Sequence, residues 1–395
     1  MIRFEPFAAL RYAPGADLDS VIAPPYDVLS DADVDTLESR SPHNIVHVDV
    51  PRGGADRYQR AAEVLDAWVR EGVLVRDAEP AFTIYRMRFA DETGAQRDLA
   101  GVLGALEVVD EGAGGVLPHE RTTPKASTDR LDLTRATNAN LSPVWGLSLA
   151  EGLTDLLREP GEPLGAMTVD GVEHVVERVT EPGRVAAIRE LVGSRDVLIA
   201  DGHHRYGVAR AYRDEQRAAG AGGGTAGGAE LTLAYVGELV EDQLSIAAIH
   251  RLYHGISHAD LRAALARRFD LAPAPAASGE VLAAMAAEGR LALVAPDGTC
   301  EWLTPRAGAF DGVRALDGAW LEDALVDVAH EVTYQHGVDE VVDVLAGGGA
   351  EAAVLIRPVS IAEIERTARE GLLMPPKSTF FAPKLRTGFV LRPLA

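Results

Sequence analysis

Apolar residues along this 395-residue chain switch repeatedly between a period of two and a period near 3.6. Asn44–Val50 (NIVHVDV) alternates and predicts a strand. Tyr58–Val69 predicts an amphipathic helix with Ala61, Leu65 and Trp68 on its apolar face. Phe82–Phe89 and Ala100–Val109 flank the turn Asp91–Gly94, a hairpin pattern. Glu181–Leu191 reads as a helix, Asp196–Ala200 (DVLIA) as a short buried strand, and Arg205–Arg217 as a helix following it after a tight turn. Leu231–Glu238 reads as another core strand. Strands and helices in alternation specify an α/β fold. Residues 220–228 hold six glycines and read as a surface loop. The division expected is a larger first region over 1–255 and an accessory α/β region over 256–395. The second holds a helix at Asp260–Phe269, strands at Leu291–Val294 and Cys300–Leu303 around the turn Pro296–Gly298, and a helix at Ile361–Glu370. Its irregular tail, Met374–Arg386, is expected to return towards the site.

Charge narrows the function. Sixty acidic residues against 38 basic ones give a formal net charge of −22. Nucleic-acid binding draws most of its affinity from phosphate neutralisation, and a basic membrane-surface protein needs the opposite sign, so both classes are disfavoured. No run of 18 apolar residues occurs, and the single cysteine, Cys300, has no internal partner for a disulfide. A cytoplasmic protein is the expectation. Only three of the 38 basic residues are lysines: Lys125, Lys377 and Lys384. All three fall in polar segments singled out below, and Lys125 and Lys377 are expected to meet near the turn described next.

The sharpest segment is Ile199–Gly207, IADGHHRYG, where a buried strand exits into a helix. Unpaired N–H groups at a helix start carry partial positive charge and bind phosphate. Gly202 lets backbone approach a ligand. His203 and Arg205 are candidate phosphate ligands, while Asp201 and His204 are candidate catalytic residues. A capping Asp alone would explain Asp201, but not two histidines and an arginine beside it.

A second polar run, Pro118–Asn140 (PHERTTPKASTDRLDLTRATNAN), reads as a loop closing over a charged ligand, against the plainer reading of a solvated loop with a helix starting at Ser127. It supplies Glu120 as a candidate base, Thr122, Thr123, Lys125 and Arg130 as phosphate ligands, and Asn140 as a substrate contact. Asp201 and Glu120 are also the candidate ligands for Mg²⁺. Ala23–Leu29 (APPYDVL) sets Tyr26 and Asp27 after two rigid prolines, and Met374–Arg386 (MPPKSTFFAPKLR) carries Lys377 and Ser378; these four are candidate substrate contacts. His43 and His47 would share a strand face, and His250 and His254 a helix face. H-E-x-x-H, C-x-x-C, the P-loop, G-x-S-x-G and a convincing G-x-G-x-x-G are absent, which argues against zinc, P-loop, serine-hydrolase and Rossmann chemistry.

APPYDVL, PHERTTPKASTDR, NLSPVWGL, ADGHHRYGVA and MPPKSTFF together resemble a prokaryotic family defined as a domain of unknown function, over nearly the whole chain. The turn ADGHHR is in addition similar to the phosphate-binding turn of the ParB/sulfiredoxin superfamily. Sulfiredoxins carry a cysteine just before His-Arg, where this chain has His203. ParB-type proteins carry Gly-x-x-Arg, matched by Gly202 and Arg205. Free L-serine kinases carry D-G-H-H-R itself, matched by Asp201 to Arg205. This resemblance implies a ParB/sulfiredoxin-like catalytic region, ATP or ADP as phosphoryl donor with Mg²⁺, and transfer to the hydroxyl of a small metabolite, L-serine first. A homodimer is an allowed assembly. The alternatives it leaves are a nucleotide-gated ParB-like binding protein without turnover and a phosphohydrolase.

Overall fold

An antiparallel hairpin, Phe82–Ala90 and Gln96–Glu107, forms the middle of a large mixed sheet. The computed structural model describes residues 1–91, 94–120, 124–220, 228–375 and 377–394. Nine strands of this sheet lie among the described residues. From one edge the order is Val116–Leu117, Val197–Asp201, Val144–Ser148, Leu231–Glu238, Gln96–Glu107, Phe82–Ala90, Val172–Val179 and Glu162–Val169, with Phe4–Glu5 pairing beside Gln96–Glu107. The fold is α/β, and the sheet belongs to a first compact unit, Met1–Ser245 with Ala368–Leu372 and Pro383–Ala395.

The core of this unit packs Phe4, Phe82, Ile84, Val102 and Leu106 against Ile188, Val192, Val197 and Tyr206. Gly104 is there because nothing larger fits. A Cβ at this position would overlap the Phe4 ring and stand 2.8 Å from Phe82 Cε1. The C-terminal segment is laced into the same unit. Leu10 and Leu391 form an antiparallel bridge, Ala23 and Thr387 another, and Arg392–Pro393 pairs with Ala139–Asn140.

The second unit, Ile246–Thr367 with Leu373–Ala382, holds an antiparallel sheet of six strands among the described residues. Their order is Phe269–Ala274, Cys300–Pro305, Leu291–Val294, Ala352–Leu355, His250–His254 and Glu331–Gln335. Alternation buries both faces. Leu291, Leu293, Leu303 and Val354 join one apolar cluster, and Ala292, Val294, Trp302 and Leu355 join the other.

Most predicted elements are present: the helix Arg57–Arg70 buries Ala61, Leu65 and Trp68, and the helices Pro182–Gly193 and His203–Ala218 and the strand Leu231–Glu238 stand where expected. The glycine-rich loop 221–227 lies outside the described residues.

Four expectations are corrected. Asn44–Val50 is not a strand but contains the short helix Val46–Asp49. The Asn44 side chain accepts from Val46 N–H at 3.0 Å, a local bond that turns the chain before a strand can form. His250–His254 is a strand, not a helix, because residues four apart share a face in either structure. The helix predicted to run to Phe269 is His258–Leu265, and Phe269 opens the next strand. The polar run after Pro118 is largely the helix Pro124–Thr137 rather than a loop; it opens on a proline whose missing N–H a helix start does not need.

Among the described residues no helix is long and apolar enough to cross a membrane. Gly104→Ala is expected to lower unfolding stability by about 1–3 kcal/mol through overpacking. Chemical denaturation checks this; an unchanged midpoint would show that the two phenylalanine rings yield freely.

Candidate functional site

The strand Val197–Asp201 is covered on both faces up to Ala200. Its pairing with Val144–Ser148 slips between Ile199 and Asp201, so Ala200 is an extra residue in the ladder. A bulge of this kind re-aims the next side chain. Gly202 then adopts φ +86°, ψ 29°, and the helix His203–Ala218 starts without a side-chain cap. A Cβ on Gly202 would lie 3.3 Å from the Val144 Cα, so left-handed backbone and close approach both call for glycine.

Asp201 is held by two cations. Lys384 Nζ donates to Oδ1 at 2.8 Å and Arg205 Nη2 to Oδ2 at 2.7 Å. Arg205 also donates Nη1 to the Pro143 carbonyl and lies 3.7 Å from Asp27 Oδ2. The result is a row of alternating sign: Lys384, Asp201, Arg205, Asp27. Burial pushes the Asp201 pKa up, but Lys384 and then Arg205 outweigh it and hold the carboxyl well below its usual range. A group so stabilised as its anion is a poor proton acceptor. It is an anchor for the two cations instead.

Two histidines pack behind this row. The strand Val116–Leu117 runs parallel to Val197–Leu198 and brings the chain at His119 beside the turn. His119 Nδ1–H donates to the Ile199 carbonyl at 2.7 Å, and His119 N–H donates to His203 Nε2 at 3.3 Å. The rings meet edge to face at 4.6 Å. Since His203 Nε2 accepts, neutral His203 carries its proton on Nδ1 and is a donor there. Burial lowers the His119 pKa to about 4. Burial, with His119 next in weight, holds His203 well below the ordinary imidazole value. Both rings are neutral at pH 7.

A cleft opens beside Arg205, lined by Tyr26, Asp49, Arg130, Asn140 and Ser142 above an apolar floor that includes Leu133, Leu141 and Val208. Arg130 stacks on Tyr26, with its guanidinium carbon 4.2 Å from the ring centre. Its Nη1 donates to the Asp49 carbonyl at 2.7 Å and to Asp49 Oδ1 at 3.2 Å, and its Nε donates to Asp129 at 3.1 Å. Ser142 Oγ lies 3.4 Å from each Asp49 oxygen and 3.0 Å from Thr387 Oγ1. Asp49 is only 3 % exposed; burial raises its pKa against the pull of Arg130 and Arg205. Burial likewise raises Tyr26 to about 12, so its hydroxyl stays protonated.

Of the expected site residues, Tyr26, Asp27, Arg130, Asn140, Asp201, Gly202, His203 and Arg205 fall in this one region of the first unit. His204 is half-buried in the first turn of the helix, and Glu120 is half-buried next to His119. Asn140 Oδ1 accepts from Leu233 N–H at 3.0 Å and Arg392 Nη1 at 3.2 Å, so it also braces the C-terminal segment. Thr122, Thr123 and the Lys125 side chain lie outside the described residues. Lys377 and Ser378 belong to the second unit, where the Lys377 carbonyl accepts from Arg251 and Ser378 Oγ donates to the Pro375 carbonyl.

Sequence reasoning missed Lys384, Asp49, Ser142 and the paired role of His119. Lys384 carried a signal, a lysine in a chain that otherwise uses arginine. Asp49 carried none, because the supposed strand placed it on a polar face.

Among the described residues no group of three or more His, Cys, Asp or Glu side chains could hold a metal ion. Asp201 does not fit as a Mg²⁺ ligand, since each of its oxygens already binds a cation.

The chain belongs to the family described as "Protein of unknown function (DUF1015)", whose model matches residues 4–319. Among solved structures it is similar to a free serine kinase in complex with AMP, at 13% identity over 68% of this chain and 84% of that one, with a TM-score of 0.38. SbnI with a C-terminal truncation from Staphylococcus aureus is 14% identical over 74% and 87%, with a TM-score of 0.39. A conserved hypothetical protein from Pyrococcus furiosus is 11% identical over 68% and 87%, with a TM-score of 0.37. No curated protein matches.

The buried neutral histidines set a pH dependence. Below its unfolded value of 6.5, His119 binds protons in the unfolded chain but not in the folded one until about pH 4. Stability is therefore full above pH 6.5 and falls as the pH drops towards 4, by about 3 kcal/mol for this residue. His119→Gln is expected to flatten that slope in denaturation midpoints measured from pH 7 to 4. An unaltered slope would contradict a buried neutral imidazole.

Proposed function

We propose that the chain is a nucleotide-dependent phosphotransferase acting on the hydroxyl of a small metabolite, with free L-serine giving O-phosphoserine as the leading candidate. The observation that carries this reading is the Asp201–Gly202 turn, where an uncapped helix start, a neutral histidine donor and the Lys384 ammonium lie together. The resemblance of DGHHR to free L-serine kinases points the same way.

Phosphoryl transfer asks chiefly for positioned phosphates and neutralised charge. Backbone N–H groups after Gly202 and the Nδ1–H of His203 are donors suited to nucleotide phosphate oxygens. Arg205, tied to Asp201 and Pro143, is a positioning residue in this reading rather than a phosphate fork. Mg²⁺ would be carried on the nucleotide's own phosphates and would help to neutralise their charge. The acceptor hydroxyl gives up its proton to a carboxylate, its oxygen bonds to the terminal phosphorus, and the bond from that phosphorus to the nucleotide breaks. Asp201 is too strongly held as an anion to serve as the base. Asp27, with 29% of its side chain exposed and its backbone next to Tyr26 of the cleft, takes that role ahead of Glu120.

Incubation of the protein with ATP or ADP, Mg²⁺ and L-serine is expected to yield phosphoserine. Formation of no phosphorylated product across a panel of hydroxyl metabolites would sink the reading. Asp201→Asn and Lys384→Met are each expected to cut turnover by about 10²–10³-fold with nucleotide binding retained. Asp27→Asn should cost more turnover than Glu120→Gln; the reverse order would move the base to Glu120.

A further inference from the structure

We infer that the cleft between Tyr26, Asp49, Arg130, Ser142 and Arg205 is the acceptor subsite, and that it selects a small α-amino-acid zwitterion. For the fate of the hydroxyl this rests on the phosphotransferase reading; for binding it stands on the cleft alone.

Size comes first. The cavity volume is about 50 Å³. On that measure one water needs about 10–15 Å³, so the cleft holds about four waters, the bulk of a solute of about six or seven heavy atoms. That room suits a small amino acid better than a whole nucleotide.

Charge comes second. The lining offers both signs in one cleft. Arg130 has Nε and Nη1 engaged, which leaves Nη2 without a partner among the described residues; Arg205 likewise has Nη1 and Nη2 engaged and Nε without one. Two guanidinium groups with donors to spare suit a carboxylate. Asp49 is the opposite case. Its carboxylate contacts are long, 3.2 Å to Arg130 and 3.4 Å to Ser142. A buried carboxyl with such loose partners is an acceptor for a ligand ammonium, whose charge would offset the cost of its burial. A ligand with only one of the two charges leaves the other half of the cleft unmatched. A second carboxylate would face Asp49, and a diamine would face the arginines.

Position comes third. Arg205 lines the cleft and holds Asp201 at 2.7 Å, with Asp27 at 3.7 Å on the same guanidinium. A serine seated by its α-carbon groups would stand next to the row of charges on which the proposed transfer depends. Leu133, Leu141 and Val208 in the lining suit a short side chain.

Calorimetric titration of the full chain tests this with L-serine, L-alanine, lactate and ethanolamine. L-Serine and L-alanine are expected to bind, with lactate and ethanolamine at least about tenfold weaker because each leaves a charged group unpaired. Asp49→Asn is expected to weaken serine more than lactate, and Arg130→Gln to weaken serine more than ethanolamine. Ser142→Ala, a smaller change that keeps both charges, should weaken serine modestly and serves if either charge variant unfolds. Amino acids binding no better than lactate and ethanolamine would overturn the inference, as would unchanged serine affinity in the folded variants. The two readings fail separately. Amino-acid binding without phosphoserine formation removes the kinase and leaves the subsite. Phosphoserine formation indifferent to Asp49→Asn and Arg130→Gln removes the subsite and leaves the kinase.

Discussion

Asp201 leaves the sheet with four-fifths of its side chain out of water. A charge in that position costs several kcal/mol unless it is paired with good geometry. The pairing comes from two directions. Arg205 reaches back one helical turn, and Lys384 arrives from nearly two hundred residues away in sequence. Each cation takes one oxygen, so the carboxylate is fully satisfied and fixed. The bulge at Ala200, the left-handed Gly202 and the bridges that hold the C-terminal segment all serve that arrangement.

That interaction decides what each neighbour can do. Because Asp201 is held as an anion, the proton transfer proposed above would fall to a less burdened carboxylate. Because Arg205 is bound on two nitrogens, it joins the turn to the cleft instead of reaching outwards. The neutral histidine pair behind them contributes hydrogen bonds without adding positive charge to a place that already holds two cations. Arg130 and Asp49 repeat the same principle in the cleft, with the guanidinium 3.2 Å from the carboxylate.

Local patterns were legible wherever one periodicity ruled a whole segment. The helix Arg57–Arg70 and the hairpin around Asp91–Gly94 stand where the apolar spacing put them, because a buried face sets the period of the side chains above it. The DGHHR turn was legible for the same reason: a buried strand, a glycine and an amphipathic helix in immediate succession leave little choice of path. Asn44–Val50 misled because a local side-chain bond from Asn44 competes with the strand, and alternation does not record it. Asp49 was hidden by the same error. Alternation places it on a polar face, and it is among the most buried acidic residues described.

By itself, then, the amino-acid order determined the α/β class, the strand–turn–helix that carries Asp201 to Arg205, and the separation of polar segments from core. These depend on residues near one another in the chain, where spacing dictates which side chains share a face. Only the tertiary structure decided that Lys384 holds Asp201, that Arg130 closes on Asp49, and that Tyr26 lies under Arg130. Those choices join segments far apart in sequence. They follow from where the sheet and the returning C-terminal segment place charged groups out of water, and a buried charge must find an opposite one wherever in the chain it lies.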